Sequence, residues 1–260
     1  IQMAQLVGAG VKGMHTIAGN APYLADLPPI NQFMGADELK QGRCALAQPW
    51  LWVDQHGKRF FNESRGAVFV DVYNAMTSAG GVMYNIIDQQ KYDQLVNNAI
   101  VLAGVPLKAL PKTFEIGQQR GWAFKADTID DLAAQIGVPA SNLKETMNKV
   151  NEYAKAGKDP EFGRLPEHLA TFNMEKGPYY ALKGIRAFFL TLGGVTVNPK
   201  FQALNPQGDV IDNLYVVGQD IGGLYDSSYD LRCEGSASSF AMTSGRLAAD
   251  NALADVKAGK

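Results

Sequence analysis

Two glycine-rich stretches near the C-terminal end hold the residue types best suited to chemistry. The Val/Leu/Tyr-rich run Asn213 to Val217 ends directly in Gly218, Gln219, Asp220, Ile221, Gly222 and Gly223, which implies a buried strand running into a tight bend. Downstream, Gly235, Ser236, Ala237, Ser238 and Ser239 open a segment in which Ala237, Ala241, Gly245, Ala248 and Ala252 recur at three- and four-residue steps. That spacing predicts a helix with a smooth face, which lets its axis approach a sheet or ligand closely. The first N–H groups of such a helix and its dipole favour a negative or electron-rich group, so the expected ligand is flat and anionic. His15, His56 and His168 have no second histidine or cysteine at ligand spacing, which argues against a metal centre or a Cys/His nucleophile.

The elements that must position these stretches come from a chain of 260 residues, 46% hydrophobic, with a net charge of −2. This is enough to bury a large core in one or two domains, with no field suited to nucleic acid. Cys44 and Cys233 are too few for a disulfide scaffold. No apolar run reaches the roughly 18–20 residues needed to cross a bilayer.

In chain order, residues 1–13 carry apolar positions at helical spacing that stop at Gly8, Gly10 and Gly13, and residues 20–48 read as loop and turn. Leu51 to Asp54, the turn Gln55 to Lys58 and Arg59 to Phe61 read as a hairpin. Gly81 to Ile87 is expected as a strand, followed by a helix to Asn97 capped by Asp88. Asp127 is expected to cap a helix over 129–136. Pro139 opens a longer helix, with Leu143, Met147 and Val150 on one face and Gly157 at its end. Pro178 to Leu182 and Ile185 to Leu192 read as two strands.

The order Thr191-Leu-Gly-Gly-Val195, then Val217-Gly-Gln-Asp-Ile-Gly-Gly223, then Arg232-x-x-Gly-Ser-Ala-Ser-Ser239 and finally Ser244-Gly-Arg-Leu-Ala-Ala-Asp-Asn-Ala252 resembles the C-terminal end of the FAD-dependent fumarate reductase and 3-ketosteroid dehydrogenase family, related to the succinate dehydrogenase flavoprotein. Trp52 to Glu63 is similar to the start of that family's capping domain, and Ile1 to Gly10 to a helix of its FAD domain. The family grips the ADP half of FAD with a G-x-G-x-x-G loop near its N-terminus, and no such loop follows a strand here. The resemblance therefore implies a C-terminal portion whose N-terminal FAD-binding half is a missing partner.

The same resemblance implies roles for single residues. Gln219 stands where the family places a polar residue to bond the FAD ribose, although such a residue also suits a plain turn. Gly222 and Gly223 serve a φ > 0 turn, a close approach to the cofactor, or both. Gly218, Gly235, Ser236, Ala237 and Ser238 fall at the flavin contacts. Arg232 matches the arginine that holds the substrate carboxylate, with an ion pair to Asp230 or Glu234 as the alternative. The family's cap-side proton donor falls at Ala67, leaving Arg65 two residues earlier, or Tyr73 further on, to take its place. The histidine expected before T-x-G-G is replaced by Phe188, Phe189 and Leu190, and the Thr-Glu-x-x-Arg set is absent before Trp52. Trp50, Trp52, Phe188, Phe189, Tyr225 and Tyr229 then either line a pocket for a larger, flatter substrate or pack as core.

The expected fold is α+β, with a capping domain (25–190) inserted in an incomplete, Rossmann-like FAD-binding domain (1–24 and 191–260). The expected function is hydride transfer between FAD and an activated C=C bond of an unsaturated acid or enone, with an electron-donor protein as a further partner. The alternative is an inert cap fragment that acts only as a binding or interaction module. Compartment is not legible in the residues.

Overall fold

The structure, a computed structural model, describes residues 1–28, 31–98, 106–225, 229 and 235–259. Its strands are β1 (Val11–Lys12), β2 (Ile17–Leu24), β3 (Trp52–Val53), β4 (Val82–Asp88), β5 (Ala123–Ala126), β6 (Tyr179–Thr191), β7 (Gly194–Val195), β8 (Gln202–Leu204) and β9 (Val210–Tyr215). Its helices are α1 (Gln2–Leu6), α2 (Asn31–Met34), α3 (Asp37–Leu46), α4 (Phe69–Ser78), α5 (Gln89–Asn97), α6 (Leu110–Arg120), α7 (Ile129–Ile136), α8 (Ala140–Ala156) and α9 (Ser236–Lys257). The chain divides into a terminal unit, Ile1–Ala18 with Phe188–Lys260, and a central unit, Gly19–Ala187. It passes between them along β2 and β6.

The central unit is built on a sheet in the order β2-β6-β4-β3, with β5 also paired to β6. β3–β4, β4–β6 and β5–β6 are antiparallel. β4 is buried at six consecutive positions, Met83 to Asp88, so it shows no apolar-polar alternation. Trp52 and Trp122 are fully buried in this core. Asn85 of β4 donates its amide to the carbonyls of Ala45, Leu46 and Gln48 at 3.1, 2.9 and 3.1 Å. It thereby satisfies the end of α3, whose last carbonyls have no partner within the helix.

Several expectations hold here and several fail. Asp88 caps α5 by accepting from the Lys91 N–H at 3.0 Å, and α8 ends at Gly157 in the left-handed region. The stretch read as loop over 20–48 instead contains β2, α2 and α3. Gly42, one of the glycines of that stretch, sits inside α3, where a Cβ would press on Thr113 at 2.7 Å and Leu24 at 3.0 Å. The hairpin over 51–61 does not form, because β3 pairs with β4 while Arg59 turns inward. The two strands expected over 178–192 are one, since Gly184 continues the strand where a side chain would strike Met83. The cap of α7 is Thr128, whose hydroxyl accepts the Asp131 N–H at 3.0 Å. Asp127 lies one residue too early. We expect Thr128→Ala to cost about 1 kcal/mol, read as a lower urea midpoint by tryptophan fluorescence; an unchanged midpoint would contradict that role.

In the terminal unit, β1 pairs antiparallel with β7, and Val195 forms a parallel bridge with Ile221. α1 ends at Leu6, just before Gly8 (φ +92°), the first of the three expected stop glycines, and residues 11–12 join that ladder. β9 starts earlier than expected and is half-exposed rather than buried. It pairs only with β8, and one face covers a small core of Ala9, Val195, Ala203, Val216 and Ile221.

Candidate functional site

In the terminal unit, strand β7 and the turn after β9 are held backbone to backbone. The Gly222 N–H donates to the Val195 carbonyl at 3.0 Å. A Cβ on Gly222 would meet the Lys12 carbonyl oxygen at 2.5 Å and the Gly194 nitrogen at 2.7 Å. Gly222 does not adopt positive φ, whereas Gly218 (+61°) and Gly223 (+81°) do, so Gly222 is required by close packing and the other two by turn geometry. The Gly218 N–H donates to Ser244 Oγ at 3.0 Å, which ties the turn to α9. Sequence reading passed over Ser244. Its signal was a polar residue at a helical step from Ala241 and Ala248, on the face that turns inward.

Gln219 is half-buried, and its Nε2 is buried without a hydrogen-bond partner. A buried amide donor of this kind ordinarily has an acceptor. Gly235, at φ +78°, precedes α9 and brings no side chain to cap it. The first N–H groups of a 22-residue helix, at Ser236, Ala237 and Ser238, therefore meet no side-chain cap. The Ser236 hydroxyl donates to Tyr229 Oη at 3.2 Å. Tyr229 packs with Ala18 and Leu192, with Tyr225 and Phe189 at ring centroids of 4.8 and 6.0 Å. Arg232 lies outside the described residues, as do Cys233, Asp230 and Glu234.

In the central unit, Arg65 ends a short 3-10 turn, Glu63–Arg65, is 59% exposed and pairs with Asp71 of α4. The turn is anchored by a buried ionic network that sequence reading missed. Arg59 Nε and Nη2 donate to Glu63 Oε1 and Oε2 at 2.9 and 2.6 Å, and Nη1 and Nη2 donate to Asp159 at 3.2 and 2.7 Å. Burial would lower the basicity of Arg59, but the Glu63 and Asp159 carboxylates outweigh it and raise its pKa. For Asp159, burial acts upward and is overcome by Arg59 and the backbone N–H groups of Arg164 and Phe162, pulling the carboxyl down to about 2. Partners 100 residues apart leave no local sequence signal. Trp50 and Trp52 are core, 4% and 0% exposed, so they line no pocket. Phe188 and Phe189 in the terminal unit are 62% and 52% exposed. Among the described residues no cluster of His, Cys, Asp or Glu could hold a metal ion.

A family model for an FAD binding domain matches residues 1–235. The chain belongs to the FAD binding domain family. It is 28% identical over 208 residues to a vinyl phenol reductase of Lactiplantibacillus plantarum, covering 76% of this chain and 42% of that protein. It is 31% identical over 255 residues to an NADH:acrylate oxidoreductase of Vibrio harveyi, covering 97% of this chain and 22% of that one. The fold matches a 3-ketosteroid-Δ4-(5α)-dehydrogenase from Rhodococcus jostii with a TM-score of 0.65 at 21% identity, over 97% of this chain and 44% of that one. The resemblance to flavoprotein reductases and ketosteroid dehydrogenases is thus borne out, as is FAD as the family's cofactor. The chain spans less than half the length of these relatives.

The terminal unit fits the flavin end of that cofactor on its own geometry: an uncapped helix N-terminus, a buried Gln219 donor without an acceptor, and a turn of glycines that admits close approach. Among the described residues no helix is long and apolar enough to cross a membrane.

Proposed function

We propose that this chain is the C-terminal part of an FAD-dependent oxidoreductase acting on an activated C=C bond of an unsaturated acid or enone. On this reading the terminal unit holds the flavin end of the cofactor, and the central unit is an inserted cap that serves the substrate. The observation that carries it is the uncapped N-terminus of α9 in the same unit as the Gln219 donor. Bound flavin would supply hydride exchange with the double bond. The N–H groups of Ser236, Ala237 and Ser238 would stabilise negative charge at the ligand edge, and Gln219 Nε2 would donate to a hydroxyl of the sugar chain on the flavin side. Arg232 would hold the substrate's carboxylate or carbonyl. Arg65, with Asp71 beside it, would hold and release a proton on the substrate side.

An N-terminal FAD-binding half is the partner this reading requires. Of the exposed large apolar side chains among the described residues, only Val68 and Leu165 belong to the central unit. The rest lie in the terminal unit and include Met3 and Leu6 on α1, 82% and 86% exposed, and Met242 and Val256 on α9, 74% and 69% exposed. Such a concentration of exposed apolar side chains supports this reading. An electron-donor protein would complete the system.

We expect this chain alone to bind FAD only weakly, because it brings no glycine loop for the ADP half. FAD titration followed by absorbance tests this, and a stoichiometric complex at micromolar or better affinity would overturn it. On the full-length protein with reduced viologen as donor, a bulky, largely apolar unsaturated acid or enone should be reduced faster than fumarate. Phe189 and Leu190 offer a second carboxylate no partner. Fumarate outpacing every aryl or steroid substrate tried would refute the substrate class, and an unchanged kcat/KM in Arg232→Ala would remove Arg232 from the site.

A further inference from the structure

The central unit carries a further exposed arginine that faces an aromatic ring rather than a carboxylate. Arg59, Arg65, Arg120, Lys91, Lys112, Lys144 and Lys149 all face carboxylates. Arg186, an exposed residue of β6, has no carboxylate within ion-pair reach among the described residues. Its guanidinium lies over the ring of Tyr73 of α4, 5.9 Å from the centroid, and its nitrogens stand over Gly81, whose φ of +86° and missing Cβ leave room for the fork.

Tyr73 is itself held in place from Gly19 of β2, where any Cβ would run into the tyrosine ring. Among the described residues, the one hydrogen bond that engages Tyr73 outside regular secondary structure uses its backbone carbonyl, which accepts from the Thr77 hydroxyl at 2.7 Å. Its phenol is left as a donor. A guanidinium held beside a ring loses side-chain freedom and keeps N–H groups free for the fork geometry that matches a carboxylate.

We propose that Arg186 and Tyr73 form a carboxylate subsite on the central unit, and that the substrate is therefore an unsaturated carboxylic acid rather than a neutral enone. The guanidinium fork takes the two carboxylate oxygens and the phenol donates to one of them. The identification of this carboxylate as the substrate's rests on the flavoenzyme reading above. The subsite itself does not, because every residue in it belongs to the central unit and needs no flavin.

Calorimetric titration of this chain, without FAD, with trans-cinnamate and with its methyl ester tests the subsite. Cinnamate should bind about tenfold or more tightly than the ester, the range a charge-assisted hydrogen-bond pair supplies. Arg186→Gln should remove that preference, Arg186→Lys should keep part of it, and Tyr73→Phe should weaken cinnamate alone, each with an unchanged urea midpoint. Equal affinity for acid and ester, no binding of either at millimolar concentration, or a preference that survives Arg186→Gln would overturn the proposal. Should cinnamate bind as expected while full-length, flavin-loaded protein fails to reduce any C=C bond, the subsite stands and the flavoenzyme reading falls.

Discussion

Arg59→Ala is expected to destabilise the central unit by about 3–5 kcal/mol, the cost of breaking a buried ion pair from one side. Four charge-assisted hydrogen bonds disappear, and the Glu63 and Asp159 carboxylates, both with fully buried side chains, keep only the buried Arg164, whose Nε stands 3.8 Å from Glu63 Oε2. The comparison is Lys144, which reaches Asp130 at 2.6 Å but with both partners about half exposed. Its replacement by alanine should cost about 0–1 kcal/mol. All three tryptophans, Trp50, Trp52 and Trp122, lie in the central unit, so urea unfolding followed by tryptophan fluorescence reads this unit selectively. A loss below about 1 kcal/mol would show that water reaches the carboxylates.

The same network sets an acid limit. The folded-state pKa of Asp159 is depressed to about 2, against about 3.9 for an unfolded aspartate. Its contribution is therefore fully present above pH of about 4 and is lost as pH falls from there toward 2. In Arg59→Ala the largest cause of the depression is gone, leaving only the backbone N–H groups of Arg164 and Phe162, and the acid unfolding limb should move to higher pH.

What the sequence made legible follows the range of each signal. Helix α8 was readable because Leu143, Met147 and Val150 repeat at the helical period and Gly157 stops them within one stretch of chain. The Asp88 cap was readable because a cap and its helix are neighbours. The Arg59 network was not, since Asp159 lies 100 residues away and Glu63, although four residues from Arg59, shares no helix with it. Gly42 and Gly184 misled because glycine reads as a break, whereas here it makes room for Thr113 and Met83 inside regular elements. Trp50 and Trp52 were left open between pocket and core, and burial decides for core. At the candidate site, the glycine turn and the start of α9 were legible as a pattern. Gln219 was legible as a polar turn residue, whereas the burial of its amide, the Ser244 link and the Arg186–Tyr73 contact needed coordinates.

Gly222→Ala and Gly245→Ala should move the terminal unit in opposite directions, although both add one methyl group to a glycine without positive φ. At Gly222 the methyl would fall on the Lys12 carbonyl oxygen at 2.5 Å and the Gly194 nitrogen at 2.7 Å. Both are backbone atoms, held in the β1–β7 ladder, and cannot step aside as a flexible side chain would. The expected cost is about 1–3 kcal/mol from overpacking. Strand β7 and the turn Gly218–Asp220 are pushed apart, so the cofactor contact proposed for Gln219 should weaken with it in the full-length protein. At Gly245, inside α9, the added methyl meets nothing within 4 Å. The substitution there removes only glycine's excess freedom in the unfolded chain, and should stabilise by about 0.4–1 kcal/mol. The terminal unit contains no tryptophan, so the readout is hydrogen exchange of the α9 amides from Phe240 to Asp255. Protection should fall in Gly222→Ala and rise in Gly245→Ala. Equal protection in the two variants would mean that the Lys12–Gly194–Gly222 backbone approach is not present in solution.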